Sequence, residues 1–194
     1  MKVSIIQYNA GNISSVKFAL TRLGVNCNIT DDIDTIQSSD FVIFPGVGEA
    51  SSAMKYLKEK KLDKVIKELK QPVLGICLGM QLLCRFSEEG NTNCLGIIPV
   101  EVKKFNISLK IPQIGWNTIY QLNDKVFTKI PENSYVYYVH SYYVPINDFT
   151  IAKTNYGIEY SAAIKMNNFY GVQFHPEKSA TIGDSFLKNF FKLI

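Results

Sequence analysis

A cysteine stands between two glycines in "GICLG" (residues 75–79), after the apolar "PVL" and before the apolar "MQLL". This G-x-C-x-G layout copies the G-x-S-x-G nucleophile elbow, in which a strand turns sharply into a helix and leaves the nucleophile in the open. Gly75 and Gly79 let neighbouring backbones crowd at such a turn. Cys77 would then sit at a helix N-terminus, where partial positive charge favours the reactive thiolate, with the Leu78 amide facing the same space. A small buried thiol in ordinary α/β packing reads the same way from these residues alone.

Partners decide between the two. A cysteine nucleophile commonly takes an imidazole as its base, and the chain holds two histidines, His140 and His175. His175 ends a strand-like run in "YGVQFHPEKS", and Glu177 follows two positions later. In an extended segment residues i and i+2 project to one side, so Glu177 can orient the imidazole while His175 faces the thiol. Read in isolation, the same residues describe a hydrogen-bonded histidine at a strand end beside a solvated glutamate. Acyl transfer also needs donors for a developing oxyanion, and the "PGVG" loop at residues 45–48 offers backbone N–H groups, or else makes a plain βα turn. It carries neither a Walker lysine nor G-x-G-x-x-G, so a phosphate cradle fits it poorly.

These residues need a scaffold. "KVSIIQY" predicts a strand, "NAGN" a turn, and "ISSVKFALTRLG" a helix with Val16, Ala19, Leu20 and Leu23 on one stripe, ended by Gly24. "VNCNIT" and "DFVIFP" predict two further strands, residues 48–70 one or two helices, and "PVLGIC" a fourth strand leading into a helix through "MQLLCRF". Nearly continuous apolar strands separated by helices imply a parallel sheet covered on both faces, with ligands at the C-terminal strand ends. After about Gly90 the pattern changes to antiparallel-like strands ("LGIIPVEVKKF", "LKIPQIGWNTIYQL", "SYVYYVHSYYV", "FTIAKTNY", "YSAAIKMNNFYGVQFHP"). A closing helix, "IGDSFLKNFFKLI", carries Phe186, Phe190 and Leu193 on one stripe. The fold class is therefore α/β: a mostly parallel central sheet flanked by helices, with an additional antiparallel strand region in the C-terminal half. No repeat or linker divides the 194 residues, so a single domain over 1–194 with one shared sheet is expected.

Composition narrows the function classes. With 46% hydrophobic and 20% charged residues the chain is built to fold, and its net charge of +4 is spread out, so neither a nucleic-acid arm nor a polybasic membrane patch stands out. No apolar run approaches a membrane span or a signal peptide, so a cytoplasmic protein is expected. Cys27, Cys77, Cys84 and Cys94 show neither metal-ligand spacing nor a disulfide framework, and no metal is expected.

Taken in order and at their separations, "PGVG", "GICLGMQLL", "EEG", "YYVHSYY" and "GVQFHPEKS" resemble the class I, triad-type glutamine amidotransferases over nearly the whole chain. "YNAGNISSV", "IPQIGWN" and "YVHSYY" look like the branch formed by the glutaminase subunits of imidazole glycerol phosphate synthases. The resemblance implies that L-glutamine is hydrolysed through a thioester on Cys77, with no cofactor. The ammonia would pass to a (β/α)8-barrel cyclase subunit in a heterodimer serving histidine biosynthesis. By position, Cys77 matches the nucleophile, His175 the base and acid, and Glu177 its orienting partner; Val47 and Leu78 match the backbone oxyanion donors, Val47 as a switch. Gly46, Gly48, Gln81, Glu89, His140, Ser141 and Tyr142 match positions that hold glutamine, and Asn12, Trp116 and Lys178 match positions near the subunit contact. The chain departs from the family at Gln7 and Asn9, where an acidic residue and a glycine are common, and at Gln113, where a histidine is common. Three other readings stand beside this one: a paralogue feeding surface-sugar or pyridoxal phosphate synthesis, a stand-alone cysteine hydrolase, and a non-catalytic module in which Cys77 merely packs.

Overall fold

The structure, a computed structural model, describes residues 1–9 and 11–194. Ala10, in the expected "NAGN" turn, lies outside the described residues. The first half alternates as expected: β1 (Val3–Ile6), α1 (Ile13–Arg22), β2 (Cys27–Thr30), α2 (Ile33–Gln37), β3 (Phe41–Phe44), α3 (Ala50–Glu59), α4 (Leu62–Glu68), β4 (Val73–Ile76) and α5 (Leu78–Leu83). The stretch at residues 48–70 makes two helices because Lys61 adopts a left-handed φ of 59° between them. The short α2 escapes periodicity; its start is set by Asp32, whose side chain accepts from Thr35 N–H.

The helix after the elbow is shorter than "MQLLCRF" suggests. It stops at Leu83, and Cys84–Ser87 forms β5, drawn out of the helix by pairing with β6 (Thr92–Asn93) and β7 (Ile98–Lys104). There follow β8 (Gln113–Ile119), β9 (Ser134–His140), β10 (Tyr142–Tyr143), β11 (Thr150–Asn155), β12 (Glu159–Met166), β13 (Phe169–Val172) and α6 (Ala180–Phe190). Leu193 lies beyond α6, although it packs against the same core as Phe186 and Phe190.

The central sheet runs β11-β12-β13-β4-β3-β1-β2, parallel from β13 to β2 and antiparallel at β11 and β12. The expectation of one shared sheet holds only for β11 to β13. The remaining strands form a four-stranded sheet, β10-β7-β5-β6, and a β8–β9 ribbon.

Burial follows the pleat. In β1 and β3, Val3, Ile5, Phe41 and Ile43 face one core with Val16 and Leu20 of α1 and Phe186, Leu187 and Phe190 of α6. Ile6, Val42 and Phe44 face the other, with Met54 and Leu57 of α3, Ile66 of α4 and Leu82 of α5. Each fully buried aliphatic or aromatic side chain contributes about 1.5–3 kcal/mol. A sheet held from both sides is a rigid platform, and the C-terminal ends of β1, β3, β4 and β13 converge at one edge. Among the described residues no helix is long and apolar enough to cross a membrane.

Candidate active site

Cys77 occupies the hinge between β4 and α5 with φ 52° and ψ −106°. A non-glycine residue held there costs on the order of 1–3 kcal/mol, so its surroundings must enforce it. The Cys77 N–H is tied to the Val172 carbonyl on β13 at 2.8 Å. A Cβ on Gly79 would lie 1.8 Å from the Phe44 carbonyl oxygen, so only glycine lets α5 press against the end of β3. The elbow thus lifts the thiol to the strand-end edge, where it remains 6% exposed.

His175 follows β13, its side chain fully buried, and its backbone N–H donates to the Tyr137 carbonyl of β9 at 2.9 Å. Glu177 reaches it as expected, with Oε1 2.7 Å from Nδ1, but from a 3-10 turn at Pro176–Lys178 rather than from an extended segment. Burial alone would push the imidazolium down; the charge and contact of the Cys77 sulfur and the Glu177 carboxylate outweigh it and raise its pKa to about 10. Among the described residues Nε2 has no hydrogen-bond partner, so the face turned to Cys77 is uncommitted.

His140 has a different environment. Nδ1 meets the Tyr142 carbonyl at 2.7 Å and Nε2 the Tyr160 hydroxyl at 3.0 Å, and burial drops its pKa to about 4. Both nitrogens are committed and the ring is neutral, so of the two histidines only His175 is placed to exchange protons with sulfur.

A cavity of about 260 Å³ opens at Cys77, lined by Val47, Gly48, Leu78, Gln81 and Glu89 on one side and by His140, Ser141 and Tyr142 on the other. Pro112 and Val139, which the sequence did not single out, complete the lining. Gly46 stands behind the wall, where a Cβ would meet the Tyr8 hydroxyl at 2.3 Å. Glu89 is half-buried; burial raises its pKa, against the Ala50 N–H that donates to Oε2 at 2.9 Å.

The "PGVG" loop, expected to supply oxyanion donors with Leu78, does not present two free donors. Leu78 N–H donates to the Gly46 carbonyl at 3.2 Å. The Gly46–Val47 peptide is trans, so its N–H points opposite to its carbonyl, away from the Leu78 amide. The loop is braced by Gly11 N–H donating to the Val47 carbonyl at 3.1 Å and by the buried Tyr8 hydroxyl donating to Pro45.

Asn12 lies next to the triad: its Nδ2 donates to Glu177 Oε1. Trp116, on the exposed face of β8, is 53% exposed and packs edge-on against Tyr137 at 5.9 Å, while Lys178 Nζ sits 5.8 Å from the same tyrosine ring. Ile114 and Tyr135 extend this apolar face, at 61% exposure each. Sequence reasoning missed Gln173, fully buried with Nε2 3.5 Å from Cys77 Sγ. The i, i+2 rule applied to Glu177 would have found it on the N-terminal side of His175.

A family model described as "Glutamine amidotransferase class-I" matches residues 4–194. The chain is 55% identical to the imidazole glycerol phosphate synthase subunit HisH of Bacteroides fragilis over the full length of both chains. It is 48% identical to the HisH subunit of Haemophilus influenzae, covering all of this chain and 98% of the relative. Among solved structures, a putative GMP synthase subunit from Thermoplasma acidophilum superposes with a TM-score of 0.75 at 22% identity, covering 98% of this chain and 92% of the other. A structure titled as a glutamine amidotransferase superposes at 0.76 with 16% identity, covering 98% and 97%; both likenesses speak to the fold. A buried Cys-His-Glu file at the edge of this sheet, together with a family match spanning nearly every residue, places the chain in the class-I glutamine amidotransferase family.

Proposed function

We propose that the chain is the glutaminase subunit of an imidazole glycerol phosphate synthase, acting as one amidotransferase domain through Cys77, His175 and Glu177. The observation that carries the chemistry is the elbow cysteine facing the buried His175–Glu177 pair. The Cys77 sulfur attacks the γ-carboxamide carbon of glutamine, and the tetrahedral oxyanion collapses as the C–N bond breaks. The His175 imidazolium gives its proton to the departing nitrogen, releasing ammonia and leaving a thioester. His175 then takes a proton from water as the oxygen attacks the thioester, the C–S bond breaks, and glutamate leaves. Glu177, steadied by Asn12, holds the imidazole in the tautomer this requires.

The cavity suits a free amino acid. An α-ammonium beside Glu89 offsets the desolvation that raises that carboxyl, and the backbone of His140, Ser141 and Tyr142 lies opposite. The oxyanion is taken by the N–H groups of Leu78 and Val47 once the Gly46–Val47 peptide rotates and frees Leu78. The arrangement with Leu78 bonded to Gly46 is a resting state, which keeps hydrolysis low until a partner is engaged.

Ammonia passes to a (β/α)8-barrel cyclase subunit that makes imidazole glycerol phosphate in histidine biosynthesis. Identity of 55% over full length to subunits of that name supports this reading, and the exposed Trp116–Tyr137–Lys178 patch supports a docking face there. The test is the reconstituted pair of subunits carrying Cys77→Ala: glutamine-dependent synthesis is lost, and ammonia-dependent synthesis survives. Continued synthesis from glutamine would end the thioester mechanism.

A further inference from the structure

Behind the Cys77 sulfur runs a file of buried carboxamides. Gln81 Nε2 donates to the Tyr142 carbonyl at 3.1 Å and to Gln173 Oε1 at 3.0 Å, and Gln173 Nε2 donates to Cys77 Sγ at 3.5 Å. The Tyr142 carbonyl sets the direction of this file. A carbonyl only accepts, so the Gln81 atom facing it is the nitrogen. The second hydrogen of that nitrogen needs an acceptor, so Gln173 turns its oxygen to Gln81 and its nitrogen to sulfur. The Gln173 backbone is fixed as well, its N–H donating to the Ala162 carbonyl of β12 at 2.9 Å. Gln173 is 0% exposed and Gln81 4%, so water does not compete for these groups.

We propose that Gln173 is a catalytic residue, its carboxamide N–H a fixed donor to the Cys77 sulfur, aimed by Gln81, which becomes a positioning residue for the thiolate. The inference rests on the thioester mechanism proposed above. The sulfur lies between opposed groups: the Val139 carbonyl, 3.7 Å away, accepts from a thiol and repels a thiolate, whereas the Gln173 N–H favours the thiolate. Among the described residues, the other titratable groups facing the sulfur are His175 with Glu177 behind it, Tyr8 beyond β1, Tyr160 on β12 and, across the cavity, Glu89 and His140. The two tyrosines, kept neutral by burial, supply no charge to balance a thiolate. The donor acts twice: before attack it hydrogen-bonds the sulfur, and in the last step it receives the sulfur as the C–S bond breaks and the electron pair returns to it.

The test is the rate of Cys77 alkylation by iodoacetamide across pH, read by peptide mass spectrometry, for the wild-type chain and for Gln173→Met, Gln173→Glu and Gln81→Met. Losing one hydrogen bond to a charged sulfur moves the midpoint of the profile up by about one to two pH units, a roughly tenfold to hundredfold smaller thiolate share below it. Gln173→Glu moves it further than Gln173→Met, and Gln81→Met shifts it in the same direction. If Gln173→Met does not fold by circular dichroism, Gln173→Glu, equal in size and polar, carries the test. Profiles coinciding with wild type, while the wild-type complex hydrolyses glutamine, overturn the donor role alone; a wild-type complex that neither hydrolyses glutamine nor is alkylated at Cys77 overturns the mechanism beneath it.

Discussion

Val47→Pro probes the oxyanion loop, because it deletes the Val47 N–H and keeps the backbone carbonyls that brace the resting loop. The loop's two braces to neighbouring backbone are carbonyls, Gly46 O receiving Leu78 N–H and Val47 O receiving Gly11 N–H, and proline keeps both. Gly46 carries no Cβ, so the restriction that proline imposes on the residue before it is at its weakest. Rotating the peptide breaks the 3.2 Å bond from Leu78 to Gly46, worth about 1 kcal/mol net. It frees one donor and brings in another, each worth about 2.7–4 kcal/mol to a tetrahedral oxyanion. The rotation is therefore favourable in the transition state even though it is not the resting arrangement. The Val47 N–H is lost, and proline fixes the φ through which the peptide must turn to free Leu78, so glutamine-dependent turnover of the assembled enzyme falls by at least about 10²–10³. The assay measures glutamine- and ammonia-dependent synthesis side by side in the two-subunit complex, with the ammonia reaction expected to persist. A loss below about tenfold, about 1.4 kcal/mol, refutes the assignment of Val47 as a donor.

The same geometry bears on stability, pH and docking. Tyr8→Phe leaves the buried Pro45 carbonyl without its donor and lowers unfolding free energy by about 1–3 kcal/mol in a urea titration; an unchanged midpoint removes the hydroxyl as a brace of the loop. His140, about 4 when folded against 6.5 when free, binds its proton more readily in the unfolded chain, so its stabilisation is complete above pH 6.5 and is lost as pH falls toward 4. That loss amounts to about 3 kcal/mol, and His140→Asn should flatten the stability profile in this window, measured by denaturant unfolding at several pH values. Trp116→Ala should weaken docking to the cyclase subunit by about 2 kcal/mol, near 30-fold in Kd by calorimetry, with no drop in thermal midpoint because the ring is half exposed.

The elements most legible in the sequence are those in which local and tertiary forces agree. Of the parallel strands, β1, β3 and β4 are apolar runs, and burial on both faces is what such runs require; the stripe in α1 is buried where its spacing puts it. The elbow is readable because Gly75 and Gly79 permit a backbone approach that any side chain would block. What escapes depends on distant partners. Cys84–Ser87 continues a helical pattern and becomes strand only because β6 and β7 lie alongside. Asn12 meets Glu177 across a long stretch of chain that no local pattern encodes, and Gln173, within reach of the i, i+2 rule, meets Cys77 only because β13 pairs with β4. The loop's resting hydrogen bond, likewise, is a choice between two peptide orientations that "PGVG" permits equally.

One connection links the exposed patch to the chemistry. Tyr137 on β9 packs its ring against Trp116, while its backbone carbonyl receives the His175 N–H at 2.9 Å and its N–H donates to Ser179 Oγ at 3.0 Å. Ser179 returns the bond to the His175 carbonyl at 2.6 Å, closing a ring of hydrogen bonds around the histidine's backbone. Two residues along the same strand, the Val139 carbonyl faces the sulfur. Pressure on the outer face of the β8–β9 ribbon therefore has a short path to both reacting groups through hydrogen bonds instead of side-chain packing alone. Packed, hydrogen-bonded elements shift between discrete arrangements more readily than they deform, so a partner seated on Trp116 and Tyr137 can bias the triad's spacing by moving one strand. The oxyanion loop, on the far side of the cavity, is held instead by Gly11, Tyr8 and Leu78. In the proposed mechanism the nucleophile pair and the oxyanion are therefore governed by separate elements, and Val47→Pro and Trp116→Ala should act on turnover through different steps.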